Sequence, residues 1–318
     1  MPKPLFITKH GKLGRKGNTL YFSGEDMEKI VPIAQVSQIH CMGSVTLTSG
    51  AVDLVSVKGI PVHFYTVDGR YKGSFLPRKA GNGKLKIAQV QHYLDSNKRK
   101  YIAQQIILGI KNSMLKSLRD SKIDTSALKE VEIAASSIEK LRGSEARLWS
   151  EYYRLFAKII RMKFTRRTRR PPRDGVNAMI SYGNVLLYGI MLSSIIKANL
   201  DPDISFLHEP MESRFSLTLD LSEPFKPLLV MRTVKRIINK GIIKRQDFVK
   251  SQKNEGVYLS SEGRRKFVKE LNKTLSSTVY SSKLKRSVSY LSIMEYEAKR
   301  FSYHFTGRKK YKAFKPWW

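Results

Sequence analysis

The stretch PRKAGNGKLK, residues 77–86, separates two parts of the chain that differ in the spacing of their apolar residues. Before it, short runs rich in β-branched and aromatic residues alternate with turn signals such as Asp68-Gly69, which is typical of strands and hairpins. After it, apolar residues recur every three to four positions, which indicates helices. The sequence therefore predicts an α+β protein, with a small N-terminal β-rich domain followed by a larger, mainly α-helical domain.

The chain of 318 residues is long enough to bury the cores of two domains. We place the β-rich domain at residues 1–80 and a basic linker at residues 81–95. The α-helical domain, which ends in a basic and aromatic tail, then covers residues 96–318. Within the first domain, residues 52–57 fit either a strand or a short helix.

Helical spacing of apolar residues predicts helices at 102–114, 128–141, 144–159, 176–197, 228–239 and 262–275. Ser144 follows Gly143, and we predict that it caps the helix at 144–159. Glu145 would then lie in the first turn, where the backbone amide dipoles favour a carboxylate. Spacing alone therefore gives Glu145 no role in chemistry.

The charge balance is strongly positive, because 59 Lys and Arg residues stand against 26 Asp and Glu residues, for a formal charge of +33. Such an excess costs self-repulsion in the folded state. It favours a polyanionic partner, and nucleic acid before an acidic membrane.

Compartment signals point to the cytoplasm. The only cysteine, Cys41, excludes an internal disulfide and a cysteine-based zinc site, which fits a reducing compartment. The first ten residues lack the uninterrupted apolar run of a signal peptide. The most apolar run, residues 185–196, is too short and too interrupted to span a bilayer, so we expect no membrane partner.

Two basic tracts are candidates for DNA contacts. Residues 163–173 contain six basic residues in eleven and no acid, and arginine is suited to forked contacts with phosphate. The tail, residues 299–318, contains seven basic and seven aromatic residues. Its aromatic residues could stack on unpaired bases or dock on the protein's own core. The predicted DNA-binding residues are Arg166, Arg167, Arg169 and Arg170.

Residues 200–227 hold His208, Asp220 and Glu223 in one short segment. A histidine with carboxylates suits Mg²⁺ or Mn²⁺. However, the spacing of Asp220 and Glu223 also matches a capping box at a helix start, and a single histidine is often a hydrogen-bonded, partly buried residue. From these residues alone, capping is the stronger interpretation.

An ordered set of motifs resembles the CRISPR-associated spacer integrases, also called the Cas-one (Cas1) endonucleases. The resemblance extends over nearly the whole chain and includes N-terminal motifs such as KGNTL at 16–20 and GIPVHF at 59–64. The motifs of the second domain are LRGSEAR at 141–147, NAMISYGNVLLY at 177–188, LDP at 200–202, FLHE at 206–209, SLTLDLSE at 216–223 and PFKP at 224–227.

The resemblance implies a metal site formed by Glu145, His208 and Glu223, with Asp220 as a nearby supporting acid. It also implies that the β-rich domain forms a homodimer and that the protein works with the small Cas-two (Cas2) protein. Two positions depart from the family pattern, since Ser205 stands where glycine is common and Lys226 where arginine is common. Lysine keeps the charge of arginine but lacks its planar fork.

The sequence thus predicts a metal-dependent DNA endonuclease and integrase of CRISPR adaptation, an antiviral defence. It would insert short DNA duplexes, including branched ones or ones with single-stranded ends, into the repeat array. The alternative is a non-catalytic basic DNA-binding or architectural protein in which Asp220 and Glu223 are caps, and a second alternative is an RNA-binding protein. Cleavage that needs manganese and stops with a chelator would separate the enzyme from the non-catalytic protein.

Overall fold

The computed structural model describes residues 2–25, 27–77, 82–212, 215–282 and 284–318. The chain divides into two compact units, Met1–Gly81 and Asn82–Trp318. Strands dominate the first unit and helices the second. The predicted α+β fold class, with a small β-rich part before a larger helical part, is confirmed.

The described part of the first unit contains eight strands and one α-helix. They are β1 (Lys3–Ile7), β2 (Gly11–Lys16), β3 (Thr19–Gly24), β4 (Met27–Pro32), β5 (Val36–Cys41), β6 (Val45–Leu47), α1 (Ser49–Val57), β7 (Val62–Tyr65) and β8 (Tyr71–Phe75). One sheet has the order β1-β5-β7-β8 and the other β4-β3-β2-β6. Strands β1, β5 and β7 run parallel, as do β2 and β6, while the other pairs are antiparallel.

Both sheets and α1 contribute to one hydrophobic core, which includes Leu13, Ile39 and Leu54. Residues 52–57, which fitted two interpretations, are helical: the Thr48 side chain accepts a hydrogen bond from the Ala51 amide at 3.2 Å and caps α1. The predicted turn at Asp68-Gly69 is confirmed, because it joins the antiparallel β7 and β8 and Gly69 has a φ of 91°, a value that glycine tolerates.

The described part of the second unit contains nine α-helices and two short hairpins. They are α2 (Gly83–Leu94), α3 (Ser96–Leu118), α4 (Ser126–Glu130), α5 (Ile138–Ala157), α6 (Gly175–Lys197), α7 (Ser216–Ser222), α8 (Arg232–Asn239), β9 (Phe248–Lys250), β10 (Val257–Leu259), α9 (Ser261–Ser276), β11 (Thr278–Ser281), β12 (Arg286–Ser289) and α10 (Tyr290–Phe305). Between α7 and α8 the chain continues through a 3₁₀ turn, Glu223–Phe225, and a π-helical turn, Pro227–Met231.

The segment predicted as a basic linker, residues 81–95, forms α2 over most of its length. The Asn82 side chain caps this helix by accepting from the Leu85 amide at 3.1 Å. Leu85 and Gln89 are buried on its inner side, and its basic residues lie on the outer side. Charge on one face indicates exposure of that face and does not exclude a helix. Residue 81 of this segment, like residues 78–80 before it, lies outside the described residues.

Helix α5 begins at Ile138 and not at Ser144. Ser137 caps it by accepting from the Lys140 amide at 3.2 Å. Ser144 is buried inside the helix, where its hydroxyl donates to the Lys140 carbonyl at 3.0 Å. The helix predicted at 128–141 is wrong as one element, because α4 ends at Glu130 and α5 starts after a non-helical stretch. Glu145 therefore lies well inside a helix, away from the amide dipoles at its N-terminus.

Helix α6 is a core helix of the second unit. By length and composition it could cross a membrane, but 72% of its most apolar 18-residue window is buried inside the protein. Its Gly183 permits close packing, since a Cβ there would lie 2.7 Å from Val230 and 2.8 Å from Phe267. Burial within the protein thus accounts for the apolar character of this helix.

The basic and aromatic tail, residues 299–318, docks on its own unit. Its last residues include the buried Tyr311 and Phe314. The Tyr311 hydroxyl donates to Glu297 at 2.7 Å, and Phe314 packs against Phe225 with ring centroids 4.9 Å apart. Of the two interpretations of these aromatic residues, docking on the core is the one observed for both rings.

Candidate metal centre

Three separate segments of the second unit bring Glu145, His208 and Glu223 together. Glu145 comes from α5, His208 from the loop before α7, and Glu223 from the turn after α7. One ligand atom from each residue lies within 4.8 Å of the other two. The separation along the chain is large, so this cluster is a product of tertiary packing.

Asp220 fixes the orientation of His208 and does not cap its own helix. One oxygen, Oδ1, lies 2.7 Å from His208 Nδ1 and accepts from the His208 amide at 3.0 Å. The other, Oδ2, accepts from the amides of Phe206 at 2.6 Å and Leu207 at 2.9 Å. The capping-box interpretation is wrong, since Asp220 lies within α7 and its carboxylate serves the preceding loop. Nδ1 is engaged, which leaves Nε2 of His208 for a ligand.

The electrostatics of the cluster favour a cation. Burial raises the pKa of the Glu145 carboxyl, the neighbouring Glu223 carboxylate raises it further, and the pKa reaches about 7. Burial by itself would lower the pKa of His208, but the hydrogen bond to Asp220 and the nearby carboxylates raise it to about 9. At neutral pH His208 thus holds a proton and Glu145 is about half protonated, and a divalent cation would displace these protons.

Glu223 is buried and has two internal donors. Trp149 Nε1 donates to its Oε2 at 3.1 Å, and the Lys226 amino group binds its Oε1. The Lys226 amino group lies 5.2 Å from the centroid of the Tyr188 ring and 5.8 Å from that of Trp149. Burial tends to lower the pKa of Lys226, but Glu223 and Tyr188 raise it above its usual value, so the lysine stays charged.

The contacts of Lys226 explain how lysine can stand where the family commonly has arginine. Its single amino group reaches one oxygen of Glu223, a contact that needs a charge and not a fork. The other departure, Ser205, also has a partner, because its hydroxyl donates to the His208 carbonyl at 2.7 Å. Both departing residues therefore contact a proposed metal ligand, Lys226 through the Glu223 side chain and Ser205 through the His208 backbone.

The predicted DNA-binding arginines divide into two kinds. Arg166, Arg169 and Arg170 are exposed. Arg167 is partly buried, and it donates to Asn177 Oδ1 at 2.9 Å and to Ser181 Oγ at 2.8 Å. Arg167 therefore holds the tract onto α6, whereas a DNA contact of this residue stays a prediction.

Sequence reasoning missed several residues around the cluster, among them Trp149, Arg99 and Arg142. Trp149 follows Glu145 by four positions on α5, a spacing that places two side chains on one helix face and could have identified it. Arg142 precedes Glu145 by three positions on α5 and could have been identified in the same way. No comparable signal links Arg99 on α3 to the loop 206–209, which both arginines contact.

The residues present fit a divalent metal ion. Two carboxylates and one imidazole form an oxygen-rich donor set that suits a hard or borderline cation with retained waters. None of the three ligand residues is a cysteine, so the cluster itself offers no thiolate for zinc. Once Glu145 and His208 have lost their protons, the carboxylates of Glu145, Asp220 and Glu223 outnumber the one positive charge of Lys226, which leaves two negative charges for a cation to balance.

Comparisons with known proteins identify the family. The family described as CRISPR associated protein Cas1 matches residues 5–273. A curated CRISPR-associated endonuclease Cas1 from Thermodesulfovibrio yellowstonii is 36% identical over 323 residues, covering 98% of this chain and 99% of the relative. The solved structure of a Cas1 protein from Thermotoga maritima is 34% identical, with a TM-score of 0.87, over 98% of this chain and 99% of that chain.

A more distant structure shares the same fold. A casposase solved bound to an integration product has a TM-score of 0.83 and 24% identity, and the match covers 98% of this chain and 93% of the casposase. The resemblance predicted from the motifs is confirmed, and with it the expectation of a CRISPR-associated nuclease. The chain belongs to the Cas1 family of CRISPR-associated proteins.

Proposed function

We propose that this protein is a metal-dependent endonuclease and integrase that cuts and joins DNA phosphodiester bonds in CRISPR adaptation, with Glu145, His208 and Glu223 as metal ligands. The observation that carries the proposal is the approach of their ligand atoms to within 4.8 Å of one another. The oxygen-rich donor set favours Mg²⁺ or Mn²⁺. When bound, the ion polarises the scissile phosphate and stabilises charge on the departing oxygen.

The surrounding side chains prepare the ligands. Asp220 binds His208 Nδ1 and so presents the neutral imidazole through Nε2, as a carboxylate behind a ligand histidine commonly does. Of the three acids, Glu145, Asp220 and Glu223, Lys226 neutralises Glu223. The remaining two negative charges match a divalent cation, so the loaded site is close to neutral and its burial is not penalised by excess charge.

The substrate is DNA, bound mainly through its phosphates. The net charge of +33 and the exposed Arg166, Arg169 and Arg170 support contacts that read little sequence. The casposase with the same fold was solved with an integration product, which favours strand joining in addition to cutting. The DNA is double-stranded, branched or with single-stranded ends. In the joining step a 3′-hydroxyl of the short duplex attacks a phosphodiester of the repeat array, and the 3′-oxygen of the array strand leaves as that bond breaks.

The assembly is a homodimer that works with the Cas2 protein in the cytoplasm. The β-rich first unit is the dimerisation domain, because a unit of this size has limited core and a two-fold contact would cover its open sheet edges. One chain has a mass of 36.5 kDa, and light scattering at low micromolar concentration should give twice that mass. A mass of one chain would refute the dimer.

Glu145→Gln tests the metal site, and Glu151→Gln is its matched control on the same helix. Glu151 pairs with the exposed Arg154 and is not among the three residues of the ligand cluster. Cleavage of branched DNA should require manganese or magnesium, stop with chelator, and be lost in Glu145→Gln but not in Glu151→Gln. Equal cleavage by both variants would remove Glu145 from the site. Metal-independent binding without any cleavage would favour the architectural protein, and a requirement for 2′-hydroxyls would favour RNA.

A further inference from the structure

In the loop that carries His208, every backbone amide and carbonyl of residues 206–208 has a hydrogen-bond partner. The amides of Phe206, Leu207 and His208 all donate to Asp220. The carbonyls of the same residues accept from side chains: Phe206 from Arg99 Nε at 3.1 Å, Leu207 from Arg142 Nε at 2.8 Å, and His208 from Ser205 Oγ at 2.7 Å. Backbone groups outside helices and sheets must find such partners when they are buried, but here nearly all of the partners come from other elements.

Two of these partners share a second anchor. Arg99 on α3 and Arg142 on α5 each donate an Nη2 hydrogen bond of 2.7 Å to the same oxygen, Oε1 of Glu209. Glu209 directly follows His208, and its other oxygen accepts from Tyr93 at 3.2 Å. Each guanidinium thus makes two hydrogen bonds to the loop, one on either side of the His208 peptide.

We propose that Arg99, Arg142 and Glu209 form an arginine clamp that positions His208 for the cation, and that metal affinity depends on this clamp. The inference rests on the proposed metal site and adds three positioning residues to it. The clamp and Asp220 hold opposite polar groups of the same peptides, so removing the clamp frees the loop even though Asp220 remains. Residues that orient a metal ligand commonly affect metal affinity by about 10- to 100-fold when they are replaced.

Electrostatics alone predicts the opposite effect, and this makes the clamp testable. Two arginines beside a cation site repel the cation, so removing one charge should strengthen metal binding. Loss of positioning should weaken it. The arginine side chains are 15% exposed for Arg99 and 35% for Arg142, so solvent does not fully screen either effect. The sign of the change in affinity therefore distinguishes the two.

The experiment measures manganese binding to full-length protein without DNA, by calorimetry or by the electron paramagnetic resonance of free Mn²⁺. The variants are Arg142→Ala and Arg142→Lys. The control is Arg154→Ala, because Arg154 lies on the same helix but pairs with Glu151. We expect binding to weaken about tenfold or more in Arg142→Ala. We also expect clear weakening in Arg142→Lys, because lysine keeps the charge but cannot bind Leu207 and Glu209 as a fork. Arg154→Ala should match the wild type.

A second measurement uses the metal-free protein and does not depend on the ion. The proton on His208 Nδ1, held by Asp220, should give a downfield imidazole signal in the proton spectrum, assigned by its absence in His208→Ala. Arg142→Lys should broaden or remove this signal. Unchanged or tighter manganese binding in both Arg142 variants, or a retained signal in Arg142→Lys, would overturn the clamp. A wild type that binds no manganese would instead count against the proposed metal site, and the proton spectrum would still decide the clamp.

Discussion

Two buried glutamates of the second unit, Glu223 and Glu297, have similar hydrogen-bond partners, but only Glu223 is proposed as a metal ligand. Glu223 pairs with Lys226, and Glu297 pairs with Arg300, in each case a cation three positions later. Each also accepts from an aromatic side chain, Trp149 for Glu223 and Tyr311 for Glu297. Their immediate hydrogen bonding does not distinguish a functional residue from a structural one.

The difference lies in what surrounds each pair. Glu297, with Arg300 and the docked Tyr311, forms a closed set in which one negative charge meets one positive charge. Glu223 has Glu145 and His208 beside it as well, and the pKa of Glu145 is raised to about 7 by burial first and by the Glu223 carboxylate second. A buried carboxylate by itself thus indicates little, whereas uncompensated negative charge indicates a cation site.

The largest expected effect separates these glutamates by activity. Glu223→Gln should lower metal-dependent cleavage by about a thousandfold or more, because a ligand and its charge are lost. Glu297→Gln should leave cleavage within a few-fold of the wild type but lower the free energy of unfolding by about 2 kcal/mol, since Arg300 loses its counter-charge. Cleavage assays and denaturant unfolding of both variants measure these effects. Comparable losses of cleavage in the two variants would contradict the distinction between the two glutamates.

Metal affinity should rise with pH. His208 has a pKa raised to about 9 and Glu145 one raised to about 7, and both must lose a proton before they bind a cation. Below pH 7 two protons are released on binding, and between pH 7 and 9 one is. We expect affinity to increase by about two log units per pH unit in the lower range and about one in the upper range. Mn²⁺ titrations from pH 6 to 9 check this, and a flat profile would contradict it.

Metal binding should stabilise the fold through Glu223 and not through Glu297. At a free Mn²⁺ concentration of 100 times the dissociation constant, the gain in unfolding free energy is about 2.7 kcal/mol. Thermal or denaturant unfolding with and without Mn²⁺ should show this gain in the wild type and in Glu297→Gln. In Glu223→Gln it should disappear, and a full gain there would mean that the ion binds elsewhere.

The same distinction applies to arginines and gives the smallest expected effect. Arg167 has internal partners on α6, whereas Arg166, Arg169 and Arg170 are exposed. Removing these three together should flatten the dependence of log affinity on log salt by about 0.9 for each phosphate that the variant no longer binds. Arg167→Ala should mainly lower stability. DNA binding measured over a range of salt concentrations tests both, and an unaltered slope in the triple variant would exclude this tract as a DNA surface.

Local sequence signals predicted an element well where its cap and its apolar residues lie within the segment itself. The helix at 176–197 was predicted within a residue of α6, whose Asp174 cap and apolar residues are encoded in the segment itself. Signals failed where a partner came from elsewhere. The sequence predicts a linker at residues 81–95, because the local sequence does not show the contacts of Gln89 with Asp201 and Ile204. It predicts Ser144 as a cap, because no local signal favours Ser137 as the helix start.

The sequence by itself determined the fold class, the strongly positive surface, the family and the types of residue available to hold a cation, since these follow from composition, periodicity and ordered motifs. Only the tertiary structure decided which charges have partners. In the folded chain Glu145 lies beside His208 and Glu223, and the Asp220 carboxylate accepts from the loop 206–209. Arg167 donates to Ser181 on α6, and Tyr311 of the tail donates to Glu297. The physical reason is that burial and hydrogen bonding depend on residues far apart in the chain, and no local pattern records them.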